Sequence, residues 1–335
     1  MRTAELEQAR QLLCRLQEAI REALATATPP IGAVRGRQHA QRMRRVAAVT
    51  SADTIYAIDK VSEVAVLAWF DAHWPRDWPV ELVMEGLEGD AVTFPPGTPV
   101  AKTIFKCILD PIDGTRGLMY DKRSAWSLAA LAPQKGARTS LSDIIVAAMS
   151  ELPTSKQGLA DQLSAIRGEG VRAVRIDLRS SRRTKFTPRP SRATGLAHGF
   201  ASFAKFFPAG KAWLAQREEQ LWQALGEGGE IFDDQYLSTG GQIYELLMGR
   251  DRFIADLRPL AFAALGVRQS LACHPYDICT ALIAREAGCV ISAPDGQPLR
   301  APLDTTFPVA WVGYANPALA RRIGPKLRAV LRTRP

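Results

Sequence analysis

Cysteine is scarce in this 335-residue chain, five in all, and no two of them stand in a C-x-x-C pair. An odd number without paired spacing excludes a disulfide scaffold and argues against a zinc site. It leaves Cys14, Cys107, Cys273, Cys279 and Cys289 as reduced thiols serving as small hydrophobic residues. Long apolar runs are lacking too: the longest, Val64 to Phe70 and Leu260 to Val267, fall well short of the ~18 residues that a membrane span requires. The N-terminal segment is charged from Arg2 and Glu5 onward and has no apolar signal-peptide core. A cytoplasmic location without a membrane partner is therefore expected. Internal repeats and low-complexity tracts are also missing.

What is present is ordinary globular composition, 47% hydrophobic and 23% charged, which excludes a disordered or fibrous chain. At roughly 150 residues per domain the length suits two domains or one large one. Basic residues exceed acidic ones, 43 against 34, for a formal charge of +9. Most of that excess lies in one place: eight Arg and one Lys between Arg167 and Arg192 face only Glu169 and Asp177. Such a stretch serves as a polyanion contact, as a substrate-side surface or simply as a solvated insertion.

Apolar periodicity predicts helices over 4–26, 59–73, 211–225, 243–248 and 277–287, and a basic terminal helix opened by Asn316 and Pro317. Strands are predicted at 80–84, at 105–109 stopping at Asp-Pro, at 125–132, around 174–178 and at 290–292. An antiparallel-looking strand group followed by strand–helix alternation implies an α+β half over 1–152 and an α/β half over 153–335, the second carrying the basic insertion at about 167–192.

The segment most informative about chemistry is Asp110-Pro-Ile-Asp113-Gly-Thr115, at the carboxyl end of an apolar run. Two carboxylates three residues apart, with Pro111 stiffening the chain between them, can aim into one small volume together with the Ile112 carbonyl. Such crowding repels unless hard cations sit between the acids, and an oxygen-only donor set selects Mg²⁺ or Mn²⁺. A plain Asx turn is the competing reading, because turns favour the same residues.

This segment resembles the signature of the inositol monophosphatase and fructose bisphosphatase superfamily, the Mg²⁺-dependent, lithium-sensitive phosphatases. The resemblance extends in order to Asp53-Thr-Ile-Tyr-Ala-Ile-Asp59, to Glu85 at a strand end, and to Tyr276-Asp277 through Glu286-Ala-Gly288. It implies a layered αβαβα sugar-phosphatase-type fold and hydrolysis of a small soluble phosphate monoester, of the inositol monophosphate or sugar phosphate type. Carried over residue by residue, it implies that Glu85, Asp110, Asp113, Asp277 and the Ile112 carbonyl bind two Mg²⁺ ions, with Mn²⁺ as a substitute. Asp59 would serve a third ion. Thr115 with Glu85 would orient a metal-bound water beside Asp113, and the Gly114 and Thr115 N–H groups would hold the phosphate. Ser238-Thr239-Gly240-Gly241 resembles a phosphate-side loop, and Asp256 stands near the usual place of a substrate-hydroxyl contact.

The sequence departs from the pattern at Gly86, where a second acid is usual and for which Glu88 is the candidate replacement, at Tyr276 in place of Trp, and at Arg116-Gly117-Leu118 after the signature. Those departures leave a 3′(2′),5′-bisphosphate nucleotidase as an alternative, and the basic stretch leaves a non-catalytic anion- or nucleic-acid-binding protein on the same fold as another. A homodimer is expected from the resemblance, and a nucleic-acid partner is not.

Overall fold

The computed structural model describes residues 3–27, 46–49, 54–87, 89, 91–226, 229–268 and 271–332. Asp53 and Glu88, both read from the sequence, lie outside them. Helix α1 (Thr3–Ala27) buries Leu13, Leu16, Ile20 and Leu24, the stripe that three- and four-residue spacing dictates. Strands β1 (Val46–Val49) and β2 (Thr54–Tyr56) form a hairpin that leads into α2 (Ala57–His73).

A large sheet follows: β3 (Val80–Met84), β4 (Ala91–Phe94), β5 (Phe105–Asp113), β6 (Ala125–Pro133), β7 (Val146–Leu152), β8 (Leu159–Ile166), β9 (Val171–Asp177) and β10 (Arg183–Phe186). Their order is β10-β9-β8-β7-β6-β5-β3-β4, antiparallel except for the β3–β5 pair. Helix α3 (Thr115–Met119) leaves β5 directly. The second sheet has the order β12-β11-β13-β15-β14, from β11 (Gly199–Phe203), β12 (Ile231–Phe232), β13 (Asp251–Asp256), β14 (Val290–Ser292) and β15 (Trp311–Tyr314).

Three helical layers alternate with the two sheets. Helices α1 and α2 cover the outer face of the large sheet, where the buried Gln17 amide donates to the carbonyls of Ser127 and Ala148 on β6 and β7. Helices α4 (Lys211–Leu225) and α9 (Pro317–Arg332) cover the outer face of the small sheet, with α6 (Arg258–Leu265) against α4. The N-terminus of α9 is capped as its sequence predicts, Asn316 Oδ1 accepting from the Ala318 and Leu319 N–H groups. Between the sheets lie α5 (Thr239–Leu247), α7 (Pro275–Ile278) and α8 (Ala281–Glu286), inside an apolar core that includes Trp126, Phe253 and Trp311. This is the αβαβα layering that the motif resemblance implies. Among the described residues no helix is long and apolar enough to cross a membrane.

Several elements differ from expectation. Strand β5 does not stop at Asp-Pro: it continues through Asp113, with a register shift against β6 between Asp110 and Asp113 that absorbs the proline. The helix predicted over 277–287 is two short helices with a break at Cys279-Thr280. The division expected at 152/153 falls between β7 and β8, which are hydrogen-bonded neighbours in one sheet. Strands β7 and β8 escape the sequence pattern because both their faces are buried, so apolar and polar residues do not alternate along them.

Candidate active site

The cleft is built at the carboxyl end of β5. There the chain turns sharply at Gly114, whose φ of 95° lies in the left-handed region and where a Cβ would come within 3.0 Å of the Leu237 carbonyl and the Ser238 Cβ. Only glycine meets both demands without strain. Asp110 Oδ1 accepts from the Ile112 N–H at 2.9 Å, closing the Asx turn that the sequence suggests. That turn sits inside the protein, with Asp110 3% and Asp113 6% exposed. Asp277 arrives from α7 in the middle layer, where its Oδ2 accepts from the His274 N–H at 2.6 Å.

One carboxylate oxygen from each of Asp110, Asp113 and Asp277 lies within 4.8 Å of the others. Burial pushes Asp110 well above the usual carboxylate range, and the charges of Asp113, Asp277 and Glu85 add to the effect. Asp277 is raised by burial and then by Asp113. Asp113 rises only to about 6: burial pushes it up, and hydrogen bonds from Gly240, Ser238 and Thr239 hold it back. Three acids that resist simultaneous ionisation, Asp110 and Asp113 buried and Asp277 partly so, offer oxygen alone and are the donor set of a hard divalent cation.

Asp113 meets the N-terminus of α5. Its Oδ2 accepts from Ser238 Oγ at 2.9 Å and from the Gly240 N–H at 2.5 Å, and its Oδ1 from the Thr239 N–H at 3.3 Å. Ser238 also caps α5 by accepting from the Gly241 N–H at 2.8 Å. The Ser-Thr-Gly-Gly loop, expected on the phosphate side, is thus occupied in fixing Asp113, although Ser238 and Thr239 do line the cleft.

A second carboxylate arrangement stands beside this one. Asp59, in the first turn of α2, accepts from the Tyr56 N–H at 2.6 Å through Oδ2 and lies 3.1 Å from the Thr115 hydroxyl through Oδ1. That hydroxyl is also 2.8 Å from the Ile112 carbonyl. The resemblance pairs Thr115 with Glu85, whereas the structure gives Thr115 Asp59 as its carboxylate partner. Glu85, the residue after β3, lines the same cleft.

No protein-family model matches the chain, and no curated protein matches it in sequence. Solved structures do match. The extragenic suppressor protein SuhB of Bartonella henselae aligns over 99% of both chains at 15% identity and a TM-score of 0.60. Fructose-1,6-bisphosphatase of Leishmania major aligns over 95% of this chain and 93% of its own at 12% identity and a TM-score of 0.65. A Pyrococcus horikoshii protein described as similar to inositol-1 monophosphatase aligns over 98% and 99% at 15% identity and a TM-score of 0.61. The chain has the sugar-phosphatase fold.

Within this fold, one sequence expectation needs correction and one residue was missed. Asp256 does not face the cleft as a hydroxyl acceptor. It is fully buried, and its carboxylate is taken in a bidentate ion pair by Arg258, at 2.8 Å from Nε and 2.5 Å from Nη2. The cleft wall at that place is the Arg258 side chain, further held by the Leu271 carbonyl at 2.6 Å and lying over the Phe206 ring at 4.9 Å. The signal was an arginine two residues after the aspartate, close enough for its guanidinium to fold back. Arg116, one of the departures after the signature, lines the same wall over Tyr56 and Phe207.

Proposed function

We propose that the chain is a divalent-cation-dependent phosphatase that hydrolyses a small phosphate monoester of the inositol or sugar phosphate type. The observation that carries this reading is the convergence of Asp110, Asp113 and Asp277 beside the Thr115–Asp59 pair, in a cleft also lined by Glu85. Mg²⁺ or Mn²⁺ held there would neutralise the phosphate oxygens and lower the pKa of water. The remaining work falls to the chain itself. Thr115 has one hydroxyl proton, directed at Asp59 or the Ile112 carbonyl, so its oxygen keeps a lone pair to accept a hydrogen bond from an attacking water. Asp59 then takes the proton relayed through that hydroxyl. The N–H groups of Gly114 and Thr115, at the head of α3, hold the phosphate in this reading. Phosphoryl transfer asks mainly for positioning and charge neutralisation, so no Ser or Cys nucleophile is required.

One observation favours the 3′(2′),5′-bisphosphate nucleotidase as a second reading. Where a free carboxylate would accept from a sugar hydroxyl, the cleft presents the Arg258 guanidinium, with Arg116 and two phenylalanines nearby. Donors suit a second anion better than they suit a polyol. The test is phosphate release from a panel of inositol, sugar and nucleoside mono- and bisphosphates, with Mg²⁺ present or chelated. Metal-dependent release supports the phosphatase, and the ranking of substrates separates the two readings. Failure to release phosphate from any of them at millimolar Mg²⁺ overturns both.

A further inference from the structure

The basic stretch of the sequence lies far from the cleft. Strand β10 is separated from β5 by five interstrand steps, about 24 Å at ~4.8 Å each, which removes the β9–β10 hairpin from the substrate wall, and no residue of 167–192 lines the cleft. It also divides into two sets. One set is tied to the protein body. Arg167 bonds the carbonyls of Ser142 and Ile144; Arg172 pairs with Glu7 and Arg183 with Glu18 on α1; and Arg175 grips Asp161. The other set, Arg179, Arg182, Lys185, Arg189 and Arg192, is exposed and forms no ion pair among the described residues. Of the two acids within the stretch, Asp177 already accepts from the Arg179 and Ser180 N–H groups at the hairpin turn.

We infer that the β9–β10 hairpin and the segment after it form a docking surface for the phosphodiester backbone of a nucleic acid, read without regard to base sequence. Three features select this partner. The cations are four arginines to one lysine, and guanidinium offers the fork that phosphate accepts. Exposed hydroxyls at Ser180, Ser181, Thr184 and Thr187 interleave with them, as backbone-contacting surfaces require. The aromatic residue of the stretch, Phe186, is half-buried under Arg175, so no ring is offered for base stacking and contact is made through the sugar-phosphate chain. The segment around Arg192 is tied to the α9 side: Asn316 Nδ2 pins the Ser191 and Ala193 carbonyls, and the exposed Arg322 bonds the Thr194 carbonyl. The inference runs against the sequence expectation that nucleic acid is not a partner. It does not depend on the phosphatase reading.

The experiment is fluorescence anisotropy with 20-base-pair RNA and DNA duplexes of scrambled sequence, titrated between 50 and 200 mM salt. The full chain is expected to bind one or both with a Kd of roughly 1–10 µM at 50 mM salt. The triple variant Arg179→Gln/Arg182→Gln/Lys185→Gln should weaken binding at least about tenfold and reduce the slope of log K against log salt by about 2.7, at ~0.9 for each phosphate no longer neutralised. Its melting temperature and its hydrolysis of p-nitrophenyl phosphate should match wild type. A control variant removing three exposed cations elsewhere, Arg76→Gln/Lys102→Gln/Arg138→Gln, should bind like wild type. Wild-type Kd values above about 100 µM for both duplexes at 50 mM salt, or equal losses in the two triple variants, overturn the inference. Retention of RNA alone would identify A-form geometry as the feature selected.

Discussion

Ser238 Oγ donates to Asp113 Oδ2 at 2.9 Å across a sequence separation of 125 residues. Through this bond the first turn of α5 holds a carboxylate of β5, so the cleft's geometry depends on the middle helical layer sitting correctly on the large sheet. Removal of the hydroxyl by Ser238→Ala is expected to lower Mg²⁺ affinity about tenfold, the usual worth of a group that orients a ligand. At saturating Mg²⁺ the rate should recover most of its wild-type value. Isothermal titration with Mg²⁺ alone and a rate-against-Mg²⁺ curve check the two halves of the prediction.

Asp110→Asn and Asp113→Asn each delete a buried anionic donor from the cluster. Both should leave the circular dichroism spectrum intact and reduce phosphate release by at least about 100-fold, as expected when a metal-positioning ligand is lost. A rate within tenfold of wild type for either would remove that residue from the metal site.

Thr115→Ala interrupts the path from water to Asp59 without touching the carboxylate cluster. The expected result is a fall in kcat of about 10²–10⁴-fold, the range for a lost proton-transfer partner, with Mn²⁺ affinity within threefold of wild type. Mn²⁺ binding followed by electron paramagnetic resonance distinguishes this from a structural collapse of α3.

Asp251, at the start of β13, is pushed up to about 7 by burial and then by the charges of Glu245 and Asp234. A carboxyl raised in the folded protein stabilises it at low pH relative to high pH. That contribution is lost as pH rises from about 4, where the unfolded chain begins to ionise, through 7. Asp251→Asn should therefore raise the melting temperature by several degrees at pH 8 and leave it nearly unchanged at pH 4. Scanning calorimetry at the two pH values checks the sign.

How much of this could be read from the sequence depends on how local the cause is. Asp110, Asp113 and Thr115 were legible because a strand, a proline and a glycine fix their relation within six residues. The helix 211–225 and the Asn316 cap were legible for the same reason. The fate of Asp256 was not, because spacing alone cannot say whether a carboxylate faces a cleft or the arginine two residues on. Thr115's choice of Asp59 requires α2 to lie beside β5, a matter of packing between elements more than fifty residues apart. The basic stretch carried its charge openly, but its distance from the cleft follows only from the strand order.

The acids of the cluster come from two layers, Asp110 and Asp113 from a strand of the large sheet and Asp277 from a helix sandwiched between the sheets. An ion coordinated by all three would stitch those layers together like a rivet through two plates. Occupancy then becomes part of the protein's mechanical integrity: at a hundredfold excess over Kd such a rivet adds about 2.7 kcal/mol to the folded state. The chain freed of divalent ions should accordingly open first along the seam between β5 and α7, and protease cutting should concentrate there.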